Sequence, residues 1–232
     1  MSDSDRPNYG VDAPTVVRNL AIGGVVCLIA GISWQPLRGL IVTAISLLAT
    51  SGLMLWGSRV WKLRLRDRLL DSIPWRGDER VLDVGCGSGL MLLGAAKRLT
   101  TGKAIGIDVW SQKDQSGNSS ERTLANARAE GVAERIELQT ADARQMPFAD
   151  ESFDVILSNW VLHNIHARAE REKALREMTR VLRPGGRLII VDILHSGQYA
   201  VALREAGLSD VSRSRPNFIF GIPTRVVRAS KK

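Results

Sequence analysis

The sequence predicts an α/β fold, in which a doubly wound, mostly parallel sheet is preceded by an α-helical membrane hairpin. Residues 19–37 and 39–58 carry no formal charge, and each stretch has about the twenty residues that a helix needs to cross a bilayer core. From residue 73 onward strand-like and helical patterns alternate, which indicates a parallel sheet covered by helices.

The elements of the α/β part follow from this alternation. We expect strands over 80–84, 103–108, 134–140, 153–158 and 187–193. We expect helices over 89–99, 119–130, 168–182 and 197–207. Two more strands in the tail 210–230, around 217–223, would form an edge hairpin and bring the sheet to seven strands.

The N-terminal region predicts an anchor. The chain divides into a loose segment (1–15), a two-helix transmembrane hairpin (16–58), a basic juxtamembrane helix (59–72) and the α/β domain (73–232). A cleavable signal peptide and a buried core hairpin are the alternatives. The second apolar span argues against the signal peptide. Apolar residues on all sides of both helices argue against the core hairpin.

Charge and cysteine content indicate which kinds of partner the protein binds. The net charge of +8 and the pI near 10.1 would suit a nucleic acid or an anionic membrane surface. Much of the basic excess lies beside the apolar spans and in the tail 225–232, which favours the membrane. The basic flank after the second span places the α/β domain in the cytoplasm. Cys27 and Cys86 provide neither a disulfide framework nor a metal site.

A glycine-rich motif over 81–89 is the most informative part of the sequence. An apolar run contains Asp83, and Gly85, Gly87 and Gly89 follow before an apolar helical pattern. This predicts a strand, a tight turn and a helix whose first N–H groups form a cradle for a nucleotide-like ligand. The acidic Asp83 would repel a pyrophosphate, so a cationic ligand fits better. Asp108 ends the next strand, where a ribose-hydroxyl acceptor is usual.

The chain resembles the class I S-adenosylmethionine-dependent methyltransferases, in their small-molecule and quinone branch. The glycine motif and the segments 140–148, 150–159 and 182–192 carry the resemblance. It implies a Rossmann-like methyltransferase fold, S-adenosyl-L-methionine as cofactor, and methyl transfer to a small or lipid-like acceptor. The alternatives are an RNA methyltransferase and a non-catalytic S-adenosylmethionine-binding protein.

The resemblance also implies residue roles. The residues expected to bind the cofactor are Asp83, Gly85, Gly87, Gly89, Asp108, Val109, Asp142, Ala143 and Asn159. Those expected at the reacting groups are His163 as general base, with Asn159 and His195. The polar segment 110–120 is long for a strand-to-helix connection, and we expect it to cover the donor or to gate the acceptor.

Two features separate the candidate functions. Enzymes that methylate exocyclic amino groups of bases resemble one another in an Asn/Asp-Pro-Pro-aromatic motif after the fourth strand, whereas this chain has Asn159, Trp160 and Val161. The connection 195–197 is too short for a substrate-covering insert. We therefore expect the hairpin or the basic helix to supply the lid, so that an apolar acceptor enters from the bilayer.

Overall fold

The computed structural model describes residues 7–111, 118–219 and 222–232. The chain forms two compact units. One consists mainly of Gly10–Leu65, and the other of Arg66–Phe218 and Ile222–Lys232 with the N-terminal segment that ends at Tyr9.

Two antiparallel helices form the core of the first unit. Helix α1 (Pro14–Ser33) and helix α2 (Leu40–Trp56) are joined by a tight turn, and a π-helical turn over Gly57–Trp61 leads into α3 (Lys62–Asp71). A Cβ atom at Gly24 would lie only 2.7 Å from the Leu48 side chain. The helices therefore pack closely at this glycine.

The two apolar stretches are helices that are long enough to span a bilayer. Pro14–Ser33 and the continuous run Leu40–Asp71 meet that test by length and composition alone, within the described residues. Core helices of soluble proteins and signal sequences meet it too. Most apolar side chains here point outward, and those of Val26 and Ile45 are 59% and 61% exposed. The predicted helical hairpin is confirmed, whereas its insertion in a membrane stays a prediction.

The second unit is built on a mixed sheet. Its strands are β1 (Arg80–Val84), β2 (Lys103–Asp108), β3 (Ile136–Thr140), β4 (Phe153–Asn159), β5 (Leu182–Asp192), β6 (Ser209–Arg213), β7 (Asn217–Ile219) and β8 (Ile222–Ser230). Seven of them run in the order β3-β2-β1-β4-β5-β8-β6, and β7 pairs with β8. The first five strands are parallel, whereas β8 is antiparallel to both β5 and β6.

Four helices belong to this sheet, and all lie near their predicted positions: α4 (Leu90–Ala96), α5 (Ser120–Ala129), α6 (Arg168–Val181) and α7 (Ser196–Glu205). The structure adds two features to the prediction. Strand β5 begins at Leu182 instead of residue 187, with an irregularity in its pairing to β4 between Phe153 and Val155. The tail 210–230, predicted to hold two strands, forms three (β6, β7 and β8), and residues 220–221 lie outside the described residues.

The described part of the predicted loose segment 1–15 is held in place. Asn8 N–H donates to Asn126 Oδ1 on α5 (2.7 Å), and Asn126 Nδ2 donates to the carbonyls of Asn8 (3.1 Å) and Ser88 (2.9 Å). Tyr9 is buried, and its hydroxyl donates to Glu130 Oε1 (2.9 Å). One buried amide thus joins the N-terminal segment to the glycine-rich turn.

Replacing Asn126 tests this connection. Because Asn126→Ala removes three hydrogen bonds of a buried amide, we expect the free energy of unfolding to fall by about 1–3 kcal/mol. Thermal or urea unfolding of the full chain in detergent would measure the loss. Arg128→Ala, on the exposed side of the same helix, is the matched control. Equal stability of the two variants would contradict the connection.

Candidate active site

Polar side chains end four neighbouring strands at one edge of the sheet. Asp108, Asn159 and Asp192 are the last residues of β2, β4 and β5, and Asp83 is the last but one of β1. The four strands are parallel and adjacent in the order β2-β1-β4-β5. Ligands of open α/β sheets bind outside the carboxyl ends of the strands, so this edge is the candidate site.

The glycine turn has the geometry that its sequence predicts. Gly85 and Gly89 have φ values of +71° and +88°, a region that side chains other than glycine rarely adopt. A Cβ atom at Gly85 would lie 2.3 Å from the Val161 side chain. The N–H groups of Gly85 and Cys86 both donate to the Ile107 carbonyl (2.8 and 3.0 Å). The turn is therefore fixed against the end of β2.

Asp83 is buried with half of its carboxylate unpaired. It is 2% exposed, and Oδ2 accepts the Leu92 N–H at 2.9 Å. Oδ1 is buried and has no hydrogen-bond partner among the described residues. Burial, with a smaller contribution from the Asp108 charge, raises the pKa of Asp83 to about 7. A buried acceptor without a donor is costly, and a cationic ligand would supply the missing donor.

Asp108 organises the backbone around it. Oδ2 accepts the Gly87 N–H (2.8 Å), while Oδ1 accepts from Trp110 N–H (2.7 Å) and Asn118 Nδ2 (3.1 Å). The next residue, Val109, is 57% exposed and presents an apolar side chain at the same edge. Residues 112–117, the middle of the predicted covering segment, lie outside the described residues.

Asp142 is paired with a neighbour that the sequence analysis did not consider. Arg144 donates to its carboxylate through Nε (2.9 Å) and Nη2 (2.5 Å) and through its backbone N–H (2.8 Å). These hydrogen bonds lower the pKa of Asp142. Ala143 lies between the pair, in a turn closed by the Asp142–Gln145 bridge. An adenine amino group would have to share this carboxylate with Arg144.

His163 forms a pair with Asp192. It lies in a 3₁₀ turn (Leu162–Asn164) after β4, and its Nδ1 is 2.6 Å from Asp192 Oδ1. Its backbone N–H donates to Oδ2 of the same carboxylate at 3.1 Å. Asp192 is 1% exposed and also accepts from Ile193 N–H (2.7 Å) and the Tyr199 hydroxyl (3.1 Å). In a neutral imidazole that donates through Nδ1, Nε2 carries the lone pair that can accept a proton.

The other predicted histidine stands apart from this pair. His195 is the N-cap of α7 with φ +57°, and within the described residues its imidazole makes no hydrogen bond. Of the two predicted histidines, only His163 is thus hydrogen-bonded to Asp192 within the described residues. Sequence reasoning passed over Asp192 and Tyr199 as functional residues, although a carboxylate that ends a parallel strand, like Asp108, was an available signal.

Asp83 generates a pH-dependent prediction. Its pKa rises from 3.8 to about 7 in the folded chain, so the folded state binds this proton more tightly than the unfolded state. The stability that this proton contributes is present below pH 4 and is lost as the pH rises through 7. Asparagine has no titrating carboxyl group, so the variant Asp83→Asn does not lose this stability as the pH rises. We expect its stability relative to wild type to increase by on the order of 3 kcal/mol between pH 4 and 8.

Urea unfolding at several pH values measures this difference. Asp78→Asn is the control, since this side chain is 62% exposed. A constant difference between Asp83→Asn and wild type across the range would contradict the raised pKa.

Comparisons with known proteins point to a methyltransferase domain. Residues 82–190 match the family model described as a methyltransferase domain. Methyltransferase GfsG of Streptomyces halstedii is 37% identical over 58% of this chain and 45% of its own length. The 27-O-demethylrifamycin SV methyltransferase of Amycolatopsis mediterranei is 37% identical over 56% of this chain and 44% of its own. A ubiquinone/menaquinone biosynthesis C-methyltransferase UbiE of Ruegeria sp. is 32% identical over 58% and 48%.

Solved structures show the same fold. The [4+2]-cyclase SpnF has a TM-score of 0.58 at 21% identity, covering 73% of this chain and 81% of its own. A geranyl diphosphate methyltransferase in complex with SAM has a TM-score of 0.57 at 16% identity, covering 73% and 85%. The chain spans about half the length of the curated relatives it matches. Residues 82–190, a little less than half of the chain, are therefore similar to S-adenosylmethionine-dependent methyltransferase domains.

Proposed function

We propose that the chain is a membrane-anchored methyltransferase that moves a methyl group from S-adenosylmethionine to a small or lipid-like acceptor bearing a removable proton. The observation that carries this proposal is the His163–Asp192 pair at the carboxyl edge of the sheet, where β1 and β4 lie between β5 and the strand of Asp108. The pair supplies a general base beside the predicted donor cradle.

The donor is assigned to the turn between β1 and α4. The unpaired Oδ1 of Asp83 would accept from the ammonium end, directly or through a water, and the backbone of Gly85, Gly87 and Gly89 would line the methionine part. Asp108 and Val109 would meet the ribose, and Asp142 with Ala143 the adenine. Asn159, at the end of β4, would lie beside the methyl group. A buried acceptor and a glycine cradle fit such a ligand.

The chain contributes proton removal and alignment to the reaction. S-adenosylmethionine supplies an activated methyl group on a positively charged sulfur. His163 Nε2 takes the acceptor's proton, and the acceptor oxygen or nitrogen becomes the nucleophile in an in-line displacement. Asp192 stabilises the imidazolium that results, as the carboxylate does in a catalytic triad. His195 would border the acceptor.

A small-molecule acceptor is favoured over RNA. Relatives named for rifamycin and quinone substrates are similar to this chain, and residues after β4 lack the proline pair of base-methylating enzymes. A non-catalytic binding protein is the second alternative. The Asp192 carboxylate is fully hydrogen-bonded and orients the His163 imidazole. A protein that only binds the donor does not need an oriented imidazole, which argues against this alternative.

The outward apolar surface of α1 and α2 supports the membrane part of the proposal. Helices that pack into a soluble core bury such side chains, whereas Val26 and Ile45 are more than half exposed. Arg59, Arg64 and Arg68 are exposed after the second helix, which suits a cytoplasmic, anionic surface. Arg66, counted in the same basic flank, is buried instead.

The general base can be tested by substitution. We expect His163→Ala to lower kcat by about 10²- to 10⁴-fold while the donor Kd stays within about threefold of wild type, because the proposed donor residues are untouched. Asp192→Asn should also lower kcat, since it disfavours the Nδ1–H tautomer. Exposed His166→Ala is the control.

The measurement uses radiolabelled donor with a lipid extract and with total RNA, followed by partition into organic solvent. Label in the organic phase that depends on His163 supports the proposal. Label in RNA would instead support the nucleic-acid alternative, and full activity of His163→Ala would exclude the base.

Membrane insertion can be tested with two charges on the outward faces. Val26→Asp combined with Ile45→Asp should abolish liposome flotation of the full chain, because a carboxylate near the bilayer centre costs about 2.5–3.5 kcal/mol per residue on insertion scales. The same charges on a water-exposed hairpin would leave the chain folded and more soluble. Gln35→Asp, in the turn between the helices, is the control and should still float.

A further inference from the structure

Arg171 is a buried cation beside the proposed base. It lies in the second turn of α6 and is 4% exposed. Its Nη1 donates to the carbonyls of Ile165 and His166, both at 2.7 Å, and Nη2 donates to Gln198 Oε1 at 3.0 Å. Among the described residues, its Nε has no hydrogen-bond partner and no carboxylate pairs with it.

This arrangement is costly for stability alone. A buried charge without an ionic partner is destabilising relative to an apolar side chain of similar size. Three neutral oxygens hold the guanidinium, and two of them are backbone carbonyls of the segment that follows His163. The burial of Arg171 therefore costs stability but fixes the position of that segment.

The segment is fixed at two points. At His163 the Asp192 carboxylate holds both the backbone N–H and Nδ1. At its other end Arg171 holds the last two carbonyls before α6, whose N-cap, Ala167, provides no side-chain hydrogen bond. Without Arg171, the carbonyls of Ile165 and His166 would lose these hydrogen bonds, and the segment would keep its 3₁₀ turn and the packing of Ile165 against the core.

The Arg171 guanidinium also contacts α7, on the Asp192 side of the His163–Asp192 pair. Gln198 precedes Tyr199 on α7, and the Tyr199 hydroxyl donates to Asp192. Burial and the Asp192 carboxylate raise the pKa of Tyr199, and the charge of Arg171 acts against that rise. Arg171 thus joins the segment that carries His163 to the helix that anchors Asp192.

We propose that Arg171 is the positioning residue that holds the His163 turn against Asp192, so that Nε2 stays aligned with the acceptor. The proposal rests on the proposed function. It predicts that replacing Arg171 changes the orientation of the His163 imidazole more than it changes donor binding.

Substitution of Arg171 in the full chain separates this role from plain stability. For Arg171→Met we expect kcat to fall at least about tenfold, while the donor Kd and acceptor KM stay within about threefold. Arg171→Lys can still donate to the two carbonyls but lacks the fork that reaches Gln198, so it should recover part of the lost kcat. Arg176→Met, an exposed arginine on the same helix, should resemble wild type.

A second readout needs no acceptor. In ¹⁵N-labelled protein, the Nδ1–H signal of His163 should be observed in wild type and Arg176→Met, and be weakened or lost in Arg171→Met. A normal signal and kcat in folded Arg171→Met would overturn the proposal, as would an equal loss of donor binding and kcat. If Arg171→Met does not fold, Arg171→Lys and Gln198→Leu decide by the same measurements, and wild-type values in both would overturn it.

The two proposals fail in different ways. Wild-type protein that transfers no methyl group to lipid extract or RNA contradicts the proposed function. The His163 signal would still show whether Arg171 sets the imidazole.

Discussion

Buried carboxylates at the ends of parallel strands hold the loops of the candidate site. Asp83 takes a backbone N–H from α4, Asp108 takes one from the glycine turn, and Asp192 takes one from the turn that carries His163. Each carboxylate is less than a tenth exposed, and a backbone donor offsets part of its desolvation. Because β2, β1, β4 and β5 are adjacent and parallel, the glycine turn with the start of α4 and the turn that carries His163 meet at one edge. The site depends on this register more than on any single side chain.

The fold could be predicted where the signal is local. The strand, turn and helix from β1 to α4 follow from an apolar run, alternating glycines and an apolar helix within twenty residues of sequence. The bounds of β6 were not predicted within the tail 210–230, because Ser209–Arg213 is mostly exposed and polar and lacks the apolar alternation of a buried strand. The early start of β5 was missed because a Pro-Gly-Gly sequence ordinarily ends regular structure, whereas here Leu182 pairs with Phe153 across an irregular step.

The site could be predicted only in part, for a related reason. Strand ends and the glycine turn are visible in the sequence, so Asp83, Asp108 and Asn159 were found there. The His163–Asp192 contact joins residues 29 positions apart and exists only because β4 lies beside β5. Arg171 was invisible as well, since an arginine on an amphipathic helix ordinarily faces solvent. What sequence cannot give is which side chains of neighbouring elements meet, and that is where the orientation of the base is decided.

The N-terminal segment limits how the hairpin can be arranged. Tyr9 precedes α1 and Arg66 follows α2, yet the Arg66 guanidinium lies over the Tyr9 ring at 5.9 Å, and both belong to the α/β unit. A topology in which one helix crosses a bilayer alone would put these two residues on opposite sides, so this contact excludes it. A leader cleaved after α1 would remove Asn8 and Tyr9 from a unit in which they are bonded to α5. For the proposed membrane anchor, this contact favours an arrangement in which both helices cross the bilayer, since the chain between Tyr9 and Arg66 begins and ends on the same unit.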